Sequence, residues 1–482
     1  MPTRRQALTA LAAAPLARSV NHWTPLTDWK ANAPGSWRFE GNQIIADGPA
    51  SHLFYTGPGH EQIRNFELEI EVLSRPSANS GVYFHTRFQA EGFPKQGFEV
   101  QVNNTALGEG TYRERKRTGS LYGIRNVYHA VAKDDEWFRL QITVQANNVQ
   151  VRVNGILAVD YIEPSPAYVP QEQETGRFLQ TGTFALQCHD PGSKVRFRNI
   201  RYRALPDNLP KLPAPVADDT FKKLMELGRQ NYPLIDYHVH LHDSLGLNEA
   251  MERSRRDGLT YGISANSGRK SRINTDSQLL AFAESVQGQN ALVGMQAEGG
   301  DWTRVFTRAT CQRFDYIFND GMIWTDDQGR WTRLYREEDL GPITDAQAFM
   351  DEFLLRTVRM LATQPIDIYA IPTYLPPALE ARRAELWTEA RMDRIIATAA
   401  RYQVAIELSG RFAIPNEDFV RKAKAAGCKF ALGTGNASGK DLLRSEHGIA
   451  MIEKCGLKPN DFFVPGSLYP RAVERRAHLF SA

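Results

Sequence analysis

The sequence predicts a multidomain protein, an all-β two-sheet antiparallel sandwich followed by an α/β closed barrel with seven candidate strands. Three observations predict it. Apolar residues alternate with period two from about residue 21 to 204, four prolines then interrupt the chain at 206, 210, 213 and 215, and beyond them short apolar runs alternate with helix-length amphipathic segments.

The alternation is clearest in Phe66-Glu67-Leu68-Glu69-Ile70-Glu71-Val72, where apolar residues share one face and three glutamates the other. It returns in Phe98–Val102, in Phe138–Val144, and in Val149–Val153 before an Asn154-Gly155 turn. After Asn199 the apolar phase shifts to Ile200 and Tyr202, which predicts a bulge. Residues 205–217 form a stiff linker, since proline fixes φ and donates no hydrogen bond. Within 218–482, seven apolar runs begin near residues 234, 260, 291, 315, 366, 404 and 429. Helical patterns such as Gln347–Gln364 and Lys440–Cys455 separate most of them, so the strands form a parallel sheet closed into a barrel, with chemistry at the strands' C-terminal ends.

Composition narrows the function. Of 482 residues, 58 are Lys or Arg and 55 Asp or Glu, a formal charge of +3, which excludes a nucleic-acid binder driven by bulk charge. No apolar run approaches the roughly 18 residues that cross a bilayer, so an integral membrane segment is not expected. Residues 1–20 carry Thr3-Arg4-Arg5-Gln6-Ala7-Leu8 and an uncharged stretch from Ala7 to Ala17, which resembles a twin-arginine export signal and places the protein in the periplasm or outside the cell. A helix-prone N-terminus of a cytoplasmic protein is the alternative reading. The four cysteines have no close spacing, so neither a disulfide framework nor a cysteine zinc site is expected.

Two constellations carry chemistry. Alternation puts His238, His240 and His242 on one side of the first barrel strand, where two imidazoles can grip one divalent ion; the alternative is a histidine-rich loop that once bound metal or that binds an anionic substrate. Glu407 interrupts the apolar run Val404–Leu408, as a group at the barrel mouth or as the partner of an arginine such as Arg411. Trp302, Trp324 and Trp331 are either core packing or platforms for sugar rings. In the sandwich, His85 and Arg87 share a face of one strand, and Glu99, Gln101 and Asn103 a face of another. If the strands pair on a concave sheet, these groups converge on a polyhydroxylated ligand; otherwise they form a solvated outer face.

His238, His240 and Glu298 resemble the first pair and the bridging glutamate of the polymerase-and-histidinol-phosphatase metallohydrolase superfamily, a distorted seven-stranded barrel. The resemblance departs at Ile263-Ser264-Ala265-Asn266, at Tyr369-Ala370-Ile371-Pro372 and at Thr434-Gly435-Asn436-Ala437-Ser438, where that superfamily has further ligands. It therefore implies one ion (Zn, Mn or Mg) rather than three, held by His238, His240, Glu298 and Glu407, with Asn319, Asp320 or Asn436 as additional oxygen donors. The N-terminal motifs Asn79-Ser80-Gly81-Val82-Tyr83-Phe84, Gly97–Val102, Thr118–Ile124, Glu136-Trp137, Val153-Asn154-Gly155, Leu186–Asp190 and Phe197–Ile200 resemble the 3-keto-disaccharide hydrolase family, a concanavalin-like jelly roll.

That resemblance implies a carbohydrate substrate and cleavage of 3-keto-glycosides by elimination and hydration. A 3-ketone acidifies the C2 proton, so the reaction needs a base and a cationic group for the enolate oxygen. Side-chain direction nominates Glu99 or His85 as base and Arg87 as the cation, with Gln101, Asn103 and Tyr122 binding substrate. Two other readings remain at this stage: a metal-dependent hydrolase or phosphoesterase in the barrel with the sandwich as a carbohydrate-binding module, and a non-catalytic glycan binder.

Overall fold

The structure, a computed structural model, describes residues 22–105, 114–169, 176–325, 331–466 and 470–480, so the expected export segment lies outside the described residues. The N-terminal part is a sandwich of two antiparallel sheets, one of eight strands and one of five. In the larger sheet, Phe66–Ser74 pairs with Val195–Ala204 so that Glu67, Glu69 and Glu71 stand opposite Arg203, Arg201 and Arg198. Each pair closes to 2.6 Å. The face that the alternation marks as polar is thus a ladder of cross-strand ion pairs, each worth about 0.2–1 kcal/mol, while Phe66, Leu68, Ile70 and Val72 are buried beneath it. The bulge expected at Asn199 is present: the register slips between Arg198 and Arg201, and Asn199 has φ 50°.

The smaller sheet takes the order Trp29–Ala31, Ser51–Tyr55, Thr183–Cys188, Ser80–Thr86, Phe98–Val102. One face packs Leu53, Val82, Phe84, Val100 and Leu186 into the sandwich core. The other carries His52, Phe54, Tyr83, Glu99 and Gln187. Backbone bonds from Thr118, Gly119, Gln101 and Tyr122 dock residues 118–122 along the Phe98–Val102 edge.

The C-terminal part closes seven parallel strands into a barrel: Ile235–Val239, Thr260–Ser267, Ala291–Ala297, Tyr316–Asn319, Ile368–Tyr369, Ala405–Ser409 and Phe430–Gly433. All seven fall on the expected apolar runs. The helix expected over Lys440–Cys455 is shorter, Glu446–Cys455 behind a 3-10 turn at Gly439–Asp441, because Ser445 takes a left-handed conformation (φ 60°) that no α-helix continues through.

Between the two parts, residues 205–217 contain no helix or strand, and Leu212 is tied to the Asn147 side chain in both directions at 2.9 Å. The helix Asp219–Arg229, capped by Asp218, sends Phe221 and Met225 into the sandwich core and Leu227 into the barrel core. Lys116 Nζ donates to Asn231 Oδ1 (2.6 Å), Asn126 to the Gly228 carbonyl (2.9 Å) and the Tyr128 hydroxyl to the Tyr232 carbonyl (2.6 Å). All three acceptors precede the first barrel strand. The sandwich therefore rests on the N-terminal end of the barrel, and the strands' C-terminal ends lie on the opposite side.

Candidate functional site

The outer face of the five-stranded sheet gathers a buried polar cluster. The Tyr83 hydroxyl donates to Glu99 Oε2 (2.8 Å), and Gln187 Nε2 reaches both Glu99 Oε1 (3.2 Å) and the Tyr83 oxygen (3.1 Å). Gly81 makes room for this carboxyl, since a Cβ there would lie 2.3 Å from Glu99 Oε1. Burial pushes the Glu99 carboxyl above the ordinary carboxylate range, against the pull of the Arg177 guanidinium and the Tyr83 hydrogen bond. His52, the register partner of Gln187, sets its ring edge-on to Tyr83 at 5.3 Å. Burial, and next His189, lower the His52 pKa to about 4, so its imidazole is neutral at pH 7. His52 Nε2 and Gln187 Oε1 are buried and find no hydrogen-bond partner among the described residues. The exposed ring of Phe93 packs on both His52 (5.4 Å) and His189 (5.8 Å) at the rim.

Of the residues expected in this domain, Glu99 alone sits at the centre of the cluster. His85 does not join it: a bulge opposite Phe184, with His85 at φ 55°, turns its ring onto Phe66 and Phe84, and Nε2 donates to the Arg64 carbonyl at 2.7 Å. Burial lowers its pKa to about 4. Arg87, just past the same bulge, is exposed, and the guanidinium that acts on Glu99 is that of Arg177. Gln101 donates to Asn79 (2.7 Å), and Asn103 is fully buried with its amide donating to the Lys116 carbonyl (2.9 Å), so Asn103 holds the 114–118 segment rather than facing a ligand. Tyr122 borders the cluster through its backbone N–H, which donates to the Glu99 carbonyl, while its hydroxyl donates to Glu114 (2.8 Å). Sequence reasoning missed His52, Tyr83, Gln187 and Arg177. Tyr83 and Gln187 stood inside quoted motifs, and the alternation that places Glu99 would also have placed them.

At the barrel mouth His238 and His240 lie side by side, ring centroids 5.0 Å apart. His238 Nδ1 donates to Glu407 Oε2 at 2.7 Å with both side chains buried, and His240 Nδ1 donates to the Ser264 carbonyl at 3.1 Å. Burial opposes protonation of His238, but the charge and hydrogen bond of Glu407, with Asp320 and Asp236 beyond, carry its pKa upward. Glu407 therefore pairs with a histidine, not with Arg411. Asp320 accepts from Gln296 Nε2 (2.9 Å) and the Met322 N–H (2.9 Å), and burial lifts its pKa to about 6.

The expected ligand set does not assemble. Glu298 spends Oε1 on Asn266 Nδ2 (2.8 Å) and Oε2 on the Ser271 hydroxyl, and Glu407 spends one oxygen on His238. Among the described residues no group of three or more His, Cys, Asp and Glu is placed to hold a metal ion. Asn436 bonds the His240 backbone at both ends of its amide and Asn319 caps Gly321, so both amide oxygens are engaged in holding backbone. Trp302 is wholly buried on Gln364 and Trp324 stacks on Phe349, both as packing.

A family model described as a 3-keto-alpha-glucoside-1,2-lyase-like domain matches residues 18–203. No curated protein matches the chain. Among solved structures the chain is similar to a putative glycosyl hydrolase from Parabacteroides distasonis ATCC 8503, at 19% identity over 38% of this chain and 94% of that one, with a TM-score of 0.33. It is also similar to histidinol phosphate phosphatase from Lactococcus lactis subsp. lactis Il1403, complexed with Zn, L-histidinol and phosphate, at 14% identity over 47% and 95% of the two chains and a TM-score of 0.34. A third is the carbohydrate binding module CBM66 from Bacillus subtilis, at 12% identity over 39% and 100% and a TM-score of 0.25. The family match falls on the segment whose motifs resemble that family. No helix among the described residues is long and apolar enough to cross a membrane.

Proposed function

We propose that this protein is an exported carbohydrate-active enzyme that cleaves 3-keto-glycosides, with the reaction on the outer face of the five-stranded sheet. The observation that carries the reading is the Glu99 carboxyl, buried between the neutral donors Tyr83 and Gln187 and raised above the usual carboxylate range. A carboxyl so placed takes a proton from carbon more readily than an ordinary surface carboxylate, because its basicity lies nearer the working pH. The family match over residues 18–203 supports the substrate class, and the twin-arginine-like start supports export to the periplasm or beyond.

Glu99 removes the C2 proton, and the Arg177 guanidinium faces the charge that develops on the C3 oxygen. The C1–O bond then breaks, the leaving oxygen takes the proton back from Glu99, and water adds across the resulting enone to complete a net hydrolysis. His52 Nε2 and Gln187 Oε1 hold ring hydroxyls, and the Phe93 ring packs against the sugar's C–H face. Incubation with a nitrophenyl 3-keto-glucoside tests this: the wild type releases nitrophenol, in deuterium oxide it exchanges the C2 proton, and Glu99→Gln does neither. Release from the unoxidised glucoside at an equal rate would overturn the keto requirement.

A further inference from the structure

The barrel mouth lies at the end away from the sandwich, and it holds buried polar groups that lack partners among the described residues. Glu407 Oε1 and, two residues along the same strand face, Ser409 Oγ are at most 1% exposed and find no hydrogen-bond partner among the described residues. Native interiors seldom leave such groups unpaired unless a ligand or water satisfies them. Gln296, on the strand Ala291–Ala297 beside His240, is bonded to Asp320, the residue that follows the neighbouring strand Tyr316–Asn319. Over them the loop after Ile368–Tyr369 holds Ile371 (φ 44°) and Thr373 (φ 63°) left-handed, a conformation costly for β-branched residues. That loop delivers Tyr374, whose ring meets Phe412 edge-on at 5.5 Å, and the exposed Tyr335 lies within electrostatic reach of both Asp320 and Tyr374.

The charge disfavours one ligand class. Asp320, Glu298 and Glu407 bring carboxyl groups together, and cations at the rim are engaged elsewhere: Arg411 with Asp441 (3.4 Å) and the Gly435 carbonyl (3.4 Å), Arg269 with Asp301 (2.5 Å), and Lys270 over the Trp331 ring (6.0 Å). An anion entering without a metal meets repulsion. Aromatic faces beside buried amide, carboxyl and hydroxyl groups are the donor set that suits a neutral ring bearing many hydroxyls.

We infer that the barrel mouth is a second carbohydrate site, independent of metal and separate from the Glu99 cluster, that binds a neutral sugar and rejects its phosphate ester. The inference stands apart from the proposed cleavage chemistry, since its residues and its opening belong to the other end of the molecule. Calorimetry on the full chain in the presence of EDTA, with maltose, cellobiose and sucrose as probes and glucose 1-phosphate as the anion, tests it. The expected result is binding of at least one disaccharide, weakened about tenfold or more by Gln296→Leu and a few-fold by the exposed Tyr335→Ala, and unchanged by Glu99→Gln. Tyr335→Ala changes only a surface ring, so it keeps the test decisive if Gln296→Leu fails to fold. Four results would overturn the inference: no disaccharide bound in EDTA, binding that appears only with stoichiometric added Zn, Mn or Mg, glucose 1-phosphate bound more tightly than the disaccharides, or disaccharide binding lost in Glu99→Gln and kept in the mouth variants.

Discussion

Two buried glutamates in this protein stand within reach of histidines, and their immediate partners set them apart. Glu99 in the sandwich is held by a tyrosine hydroxyl and a glutamine amide, neutral donors that orient the carboxyl without cancelling its charge, so burial dominates and the carboxyl becomes more basic. Glu407 in the barrel accepts from His238, whose affinity for protons it raises. The first arrangement holds both carboxyl oxygens with neutral groups, so protonating the acid breaks no ion pair; the second ties one oxygen to a chargeable imidazole and leaves Glu407 Oε1 without a partner among the described residues. A sequence motif that supplies a histidine and an acid can therefore end as chemistry or as architecture, depending on whether the acid's closest partner is neutral or chargeable.

The largest expected effect tests the Glu99 side. Glu99→Gln should lower the rate of 3-keto-glucoside cleavage about 1,000-fold, the scale of losing a general base, while its urea-unfolding free energy at pH 7 stays equal to the wild type or rises, because a charge disfavoured by burial is gone. A marked loss of stability would make Glu99 structural like Glu407. His238→Ala should do the opposite on the stability axis, costing about 3–5 kcal/mol by stranding the Glu407 carboxylate, read by the same urea titration. A cost under about 1 kcal/mol would show that the buried pair is not the strut described.

Next in size, Arg177→Ala should reduce kcat for keto-glycoside cleavage about 100-fold, as for loss of one oxyanion donor, whereas Arg87→Ala should leave it unchanged; equal effects would restore the arrangement read from the sequence. Tyr83→Phe should act mainly on pH dependence. The Tyr83 hydrogen bond holds the Glu99 pKa down, so removing it moves the acid limb of the kcat/KM profile to higher pH; an unmoved limb would mean that Glu99 is not the titrating base.

The smallest effect is on acid stability. His52 and His85 titrate near 4 in the folded protein against an ordinary 6.5. The unfolded chain therefore takes up protons first, and their contribution is complete above pH 6.5 and lost as pH falls toward 4, by about 1.4 kcal/mol per unit per group at most. Glu99, whose folded pKa is raised, runs the other way and gains stability as pH falls through that value. His52→Gln should flatten the fall measured by urea titration between pH 7 and pH 5, and a slope unchanged by it would contradict a neutral buried imidazole.

Much of this was legible without coordinates. Period-two alternation located the sandwich strands, the charged face of Phe66–Ser74 and the bulge at Asn199, because a strand's side-chain direction is a local property. Apolar runs separated by amphipathic helices located all seven barrel strands for the same reason. Glu99 was legible because it sits in a regular strand; His85 and Arg87 were not, because one residue of bulge reverses every direction beyond it. Arg177 is 78 positions from Glu99 and arrives on a different loop, so no local spacing could name it.

The sequence by itself determined the two architectures, their order along the chain and the residue types available for chemistry, since periodicity and composition act within a few residues of each position. Only the tertiary structure decided which acid met which partner: Glu99 with Tyr83 and Gln187, Glu407 with His238, Glu298 with Asn266 and Ser271. It also decided that the sandwich covers the barrel's N-terminal end, with the mouth on the far side. The physical reason is that ionisation, hydrogen-bond satisfaction and accessibility depend on groups brought together from distant parts of the chain.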